Sequence, residues 1–126
     1  MHHSAEVLAR VKAPGRVGAL ASDDPAVGTG EAGSFDAGTV TRIQVRVDAA
    51  ARRVVEARFK VFGCSAAIAS ASLVTERIEG AAVDDVLRLE PAEIQATLAL
   101  PDERRHVAAL AVAAARRAVE RWRRDR

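Results

Sequence analysis

Two adjacent runs of alternating residues constrain the fold more than any other feature of this sequence. From Thr39 to Val47, the residues Thr41, Ile43, Val45 and Val47 point one way, while Arg42, Gln44 and Arg46 point the other. A period of two marks a strand with one wet face. After a turn near Asp48 to Arg52, Val55, Ala57, Phe59 and Val61 alternate against Glu56, Arg58 and Lys60. Two such runs on a short link predict an antiparallel hairpin.

The flanking segments read differently. Ser4 to Lys12 predicts a short helix capped by Ser4, with Val7, Leu8 and Val11 on one face. Pro14-Gly15 stops it, and the chain is loop-like to Pro25. Gly28, Gly30 and Gly33 then mark a segment of low helical propensity, an edge strand. Beyond the hairpin, Gly63-Cys64-Ser65 breaks the second strand. Ser65 is the expected cap of a helix to about Glu79, with Ala67, Ile68, Ala71, Val74 and Ile78 as its apolar stripe and Gly80 at its end. Val83 to Leu89 predicts a short helix, and Pro91 opens another to about Leu98. Pro101-Asp102-Glu103 opens a long helix to about Arg124, with acids in its first turn and arginines in its last, as the helix dipole favours. Strands followed by helices predict an α+β fold: a small antiparallel sheet of about three strands with helices packed against it. With no repeat and no linker, residues 1–126 are expected to form a single domain.

Composition narrows the function classes. Of 126 residues, 49% are apolar and 29% charged, so an ordered state is expected rather than disorder. Aromatics are limited to Phe35, Phe59, Phe62 and Trp122, so the core must rest on Ala, Val, Leu and Ile. No apolar run approaches the roughly 20 residues of a membrane span. The first residues show no secretory pattern, and a cytoplasmic address is expected by default. The net charge of +2 is too slight to argue for nucleic acid. The excess is local, in Arg116, Arg117, Arg121, Arg123, Arg124 and Arg126, which read first as a solvated helix end; no aromatic platform is interleaved with them. Glu76, Glu79, Asp84 and Asp85 are expected on solvated helix faces and caps.

Gly28-Thr29-Gly30-Glu31-Ala32-Gly33 has the G-x-G-x-x-G spacing of dinucleotide sites. That chemistry needs a strand before the glycines and a helix after them. Here Asp23-Asp24-Pro25 precedes and an alternating strand follows, so the glycines are expected to serve an edge strand instead. No nucleophile–base–orienter set is present, so an enzyme is not expected.

Cys64 is the only cysteine, which excludes an intramolecular disulfide and any Cys-x-x-Cys pair. An unpaired thiol fits a reducing compartment. It sits between a strand and a helix, where exposed peptide N–H groups favour the thiolate that attacks sulfur and binds metals. A free cysteine is as often a small buried filler. His106 borders the stripe of Leu110, Ala111, Ala114 and Ala118 on the last helix, a position that is more often packing than ligation.

The stretch from Phe59 to Glu76, Phe-Lys-Val-Phe-Gly-Cys-Ser-Ala-Ala-Ile-Ala-Ser-Ala-Ser-Leu-Val-Thr-Glu, resembles the segment around the middle cysteine of the IscU/NifU N-terminal family. Ala13-Pro14-Gly15-Arg16-Val17-Gly18 looks like that family's Asn-Pro-Arg-Asn-Val-Gly, and Val27-Gly28-Thr29-Gly30 resembles its glycine segment. Leu100-Pro101 and His106 resemble the region before its last cysteine. The resemblance covers nearly the whole chain.

What this resemblance implies is assembly of [2Fe–2S] clusters from sulfur delivered by a cysteine desulfurase, and their passage to acceptor apoproteins. Three cysteines, an aspartate near the first and a histidine before the last do this work in the family. Carried onto this chain, the first cysteine is Ala37, the aspartate is Thr39, the middle cysteine is Cys64, the histidine is His106 and the last cysteine is Val107. The chaperone-binding Leu-Pro-Pro-Val-Lys stands here as Leu100-Pro101-Asp102-Glu103-Arg104. Clusters take four protein ligands, mostly thiolates, so one chain is two donors short. Three readings follow. Two subunits of a homodimer, each giving Cys64 and His106, hold a bridging cluster, or Cys64 carries a persulfide; Asp36 is a weak further oxygen ligand, and the metal is a [2Fe–2S] cluster, iron or zinc. Alternatively, the chain binds no metal and acts as a regulatory module on the desulfurase or scaffold machinery. An unrelated enzyme is the remaining reading. Neither nucleic acid nor a membrane is an expected partner.

Overall fold

A computed structural model describes residues 3–125 of the chain. Its elements run in the order α1 (Ala5–Lys12), β1 (Val27–Ser34), β2 (Thr39–Asp48), β3 (Arg53–Phe62), α2 (Ser65–Ile78), α3 (Val83–Leu87), α4 (Pro91–Leu98), a 3-10 turn (Asp102–Arg104) and α5 (Arg105–Arg124). The strands form one antiparallel sheet in the order β1-β2-β3. The architecture is α+β, as the order of patterns in the sequence predicts.

The inner face of the sheet carries Ile43, Val45, Val47, Ala57 and Phe59, all buried. α5 lies across β1 and β2, and α2 lies on β3 and against α5. α1 and α4 cover the far side of α2. That double layer explains why α2 buries residues all round, from Ala66 and Ser70 to Leu73 and Thr75, and not only its expected stripe. Inside it, Ser70 and Thr75 satisfy their hydroxyls on the carbonyls of Ala66 and Ala71 one turn back.

Small residues set the spacing between β1 and α5. A Cβ at Gly28 would overlap the Ala118 carbonyl, and one at Gly30 would overlap the Ala114 carbonyl. The strand backbone therefore rests directly on a helix face built from Ala111, Ala114 and Ala118. The glycine pattern serves this close approach rather than a phosphate. Trp122, which is 2% exposed, closes the far end beside Gly28.

Several expectations need correction. Val55 was expected to face inward and is 52% exposed, while Val54 is buried. The pairing passes from Arg46↔Glu56 to Val47↔Val54, so Val55 is the extra residue of a bulge and the alternation flips there. Leu8 is 55% exposed, leaving Val7 as the buried contact of α1. Gln44 lies on the supposed wet face yet is 2% exposed, because residues 20–22 cross over it. Its side-chain carbonyl accepts the Leu20 N–H at 2.7 Å, and its amide donates to Thr29 Oγ1 at 3.0 Å. Cys64, not Ser65, is the N-cap residue of α2, and its side chain makes no capping bond. α5 starts at Arg105, after the 3-10 turn, rather than at Pro101.

Glu79 was expected on a solvated face. Instead it joins three segments: one oxygen accepts Arg16 Nε at 2.8 Å, and the other accepts the Ala57 N–H at 3.0 Å. Burial pushes its carboxyl up, but the Ala57 N–H and the Arg16 and Arg58 guanidiniums together hold it below the usual value.

Candidate functional site

The sheet positions the candidate residues at one end. The turn from Phe35 to Gly38 joins β1 to β2, closed by the Gly38 N–H on the Phe35 carbonyl at 3.0 Å and by the Ala37 N–H on Ser34 Oγ at 3.1 Å. Asp36 and Ala37 are exposed on this turn, and Thr39 at its base is buried. β3 runs antiparallel to β2 with Phe62 opposite Val40, so the chain leaves β3 at this same end. Gly63 lies against Thr39: a Cβ on it would sit 3.3 Å from Thr39 Oγ1. Cys64 follows, half-buried, at the start of α2.

α5 runs back along β1, with Trp122 and Ala118 beside Gly28, Ala114 beside Gly30 and Leu110 beside Gly33. His106 lies one turn before Leu110, roughly 6 Å nearer the β1–β2 turn at 1.5 Å of rise per residue. A small hollow lined by Ala66, Leu100, Pro101 and Arg104 sets the first turn of α2 beside the segment that leads into α5. Cys64 and His106, far apart in sequence, thus share one end of the fold with Asp36, Ala37 and Thr39. His106 is exposed and not packed in the core, whereas its neighbour Val107 is fully buried. The imidazole faces solvent because the stripe of α5 runs through Val107, Ala111, Ala114 and Ala118.

The donors available here are one thiol and one imidazole. Ala37 has no donor atom, and Val107 fills the core. Among the described residues, no group of three or more His, Cys, Asp and Glu side chains is arranged to hold a metal ion, so Asp36 does not complete a three-ligand set with Cys64 and His106. A four-donor cluster does not fit one chain of this protein.

Sequence reasoning missed the Phe35–Phe62 pair that borders this end. The rings stand edge to face with centroids 5.1 Å apart, and the residues are 70% and 55% exposed. Phe62 continues the wet-face series of Arg58 and Lys60, and an aromatic in that series was the available signal. The helices of the described residues include none long and apolar enough to cross a membrane.

Comparison with known proteins identifies the family and the fold. Residues 2–126 match the family model of the NifU-like N terminal domain. The chain is 42% identical over 113 residues to iron-sulfur cluster assembly protein 1 of Arabidopsis thaliana, covering 90% of this chain and 68% of that protein. It is 38% identical over 120 residues to the iron-sulfur cluster assembly scaffold protein IscU of Azotobacter vinelandii, covering 94% and 92%. In fold it resembles the putative iron-sulfur cluster assembly scaffold protein for the SUF system of Fervidobacterium islandicum AW-1, with a TM-score of 0.73 at 14% identity over 92% of this chain and 95% of that one. The fold, the family match and the two close relatives together place the chain in the IscU/NifU N-terminal family of iron–sulfur cluster scaffolds, as a member with a single cysteine.

Proposed function

We propose that this protein serves iron–sulfur cluster assembly through Cys64, holding a [2Fe–2S] cargo between two chains. Each chain supplies Cys64 and His106, which together make a four-donor set of two thiolates and two imidazoles. What supports the reading is that Cys64 and His106 lie toward the same end of the fold, neither fully buried, with positions 37 and 107 there lacking donors. The proposed partners are a cysteine desulfurase as sulfur source and acceptor apoproteins as recipients. A reducing compartment such as the cytoplasm suits the unpaired thiol.

Persulfide carriage is the second route open to the same thiol, favoured by the half-exposed position of Cys64. The Cys64 thiolate would attack the outer sulfur of a desulfurase persulfide. The sulfur–sulfur bond of the donor breaks, its cysteine leaves as a thiolate, and Cys64 becomes the persulfide with no net oxidation.

Anaerobic reconstitution with iron and sulfide tests the bridging reading. One [2Fe–2S] per two chains is expected, abolished by Cys64→Ser and spectroscopically altered by His106→Ala. A stable cluster on a monomer would refute it. In a parallel anaerobic incubation with a cysteine desulfurase and free cysteine, whose persulfide supplies sulfane sulfur, an added sulfur on Cys64 without cluster absorbance would leave only the persulfide route. Neither cluster nor added mass, together with partner binding that survives Cys64→Ser, would identify a metal-free binding module instead.

A further inference from the structure

The free edge of β1 and the C-terminal half of α5 carry a second surface that cluster chemistry does not use. β1 is an edge strand. The Val47 N–H bonds the Ala26 carbonyl at 2.9 Å, which fixes the alternation of the β1–β2 ladder. Gly28, Gly30 and Ala32 therefore bond to β2, and the backbone groups of Thr29 and Glu31 point away from the sheet. The Glu31 carbonyl is taken by Arg117 at 2.6 Å. The N–H groups of Thr29 and Glu31 have no partner among the described residues.

Two hollows of about 340 and 330 Å³ flank this edge and share Thr29, Glu31 and Arg121. Along them α5 presents Arg117, Arg121 and Arg124, and β2 adds Arg42. The acids in the hollows are Glu31, Glu120 and Asp125. Arg121 pairs with Asp125 at 3.6 Å, and Arg42 reaches Glu31 only at 3.9 Å. Arg117 and Arg124 have no ion pair among the described residues. Cationic side chains are thus in excess beside open strand donors.

We propose that this edge binds an acidic, extended segment of another polypeptide, added as a fourth strand alongside β1. The backbone of the incoming segment takes the Thr29 and Glu31 N–H groups, and carboxylates on alternate residues meet the arginines of α5. Arg117 occupies the Glu31 carbonyl in the free protein and shields the edge, and a carboxylate draws it away on binding. Charge complementarity selects this occupant: a basic segment would meet the arginines at close range. The arginines that select the partner lie in the C-terminal half of α5, away from His106. The proposal does not depend on any metal being held.

The test is fluorescence anisotropy on the full chain with a labelled peptide of alternating Glu and Val. Saturable binding that weakens with salt is expected. Arg121→Glu with Arg124→Glu should weaken it at least about tenfold, the loss of roughly one hot-spot interaction. Glu31→Pro should do the same, since it removes one edge donor at a place where an edge strand tolerates proline. Thermal melting of each variant verifies folding, and Thr29→Pro serves in place of Glu31→Pro if that variant does not fold. Four outcomes overturn the proposal: no saturable binding at about 1 mM peptide; equal binding of the Lys-for-Glu peptide; proline variants that bind like the parent, which would mean anion capture without strand addition; or tighter binding of a single-stranded oligothymidylate than of the peptide, which would mark a nucleic-acid surface.

Discussion

The Glu79 carboxylate accepts the backbone N–H of Ala57 at 3.0 Å and so ties the end of α2 to the middle of β3. Arg16 and Arg58 converge on the same group, and the Asp24 carboxyl is likewise held low by the Ala26 N–H and by Arg46. For both acids the folded value lies below the unfolded one, so their contribution to stability is complete above the ordinary carboxylate range. It is lost as pH falls through the depressed folded values. Chemical denaturation between neutral pH and pH 3 should show stability falling below about pH 4.5, the ordinary value of Glu79. Glu79→Gln should cost about 1–3 kcal/mol at neutral pH and flatten that fall. An unchanged pH profile in the variant would remove Glu79 from the account.

The bulge at Val55 gives neighbouring valines opposite consequences. Val54 is fully buried, and its N–H and carbonyl pair with Ala81 and Gly80. Val54→Ala should cost about 1.5–3 kcal/mol. Val55 is 52% exposed, and Val55→Ala should stay within about 0.5 kcal/mol. Urea midpoints of the two variants decide the matter; a larger loss at position 55 would restore the simple alternation.

At Gly28 and Gly30 the β1 backbone touches the carbonyls of α5, and no flexible side chain stands in between to yield. Gly28→Ala and Gly30→Ala should each destabilise by about 1–3 kcal/mol through overpacking. Gly30→Ala should also weaken the β1–β2 ladder, visible as faster amide exchange in residues 41–45. Melting at the parental temperature would show that strand and helix are not in direct contact.

The hairpin, the edge strand and each helix were legible because burial on one face writes a period into the sequence. What was not legible came from contacts between distant segments. Gln44 is polar and sits in the polar phase of β2, and only the crossing of residues 20–22 buries it. Glu79 looks like any helix-end acid until Arg16 and Ala57 arrive from elsewhere. The extra residue at Val55 leaves no mark in composition, since Val54 and Val55 are the same amino acid. For the candidate site, Cys64 stood out by being alone, but that it shares one end of the fold with His106 has no local signal. Helix periodicity placed His106 beside the apolar stripe, and only the docking of α5 on β1 determines that the imidazole faces solvent at the end where β3 terminates.

Positions 37 and 107 allow a direct test of the proposal that a shortage of donors keeps one chain from holding a cluster alone. Ala37 lies exposed in the β1–β2 turn, so Ala37→Cys should alter stability by less than about 0.5 kcal/mol. Val107 is fully buried, and Val107→Cys shortens a packed side chain at a cost of about 1 kcal/mol. With both changes one chain holds three thiols and His106 at the same end, which is a four-donor set without a second subunit. Anaerobic reconstitution of the double variant should therefore move the yield from one [2Fe–2S] per two chains to one per chain, with a monomeric mass by light scattering. If the variant keeps the parental stoichiometry, donor number is not what limits this protein, and the orientation imposed by the burial of residue 107 must be.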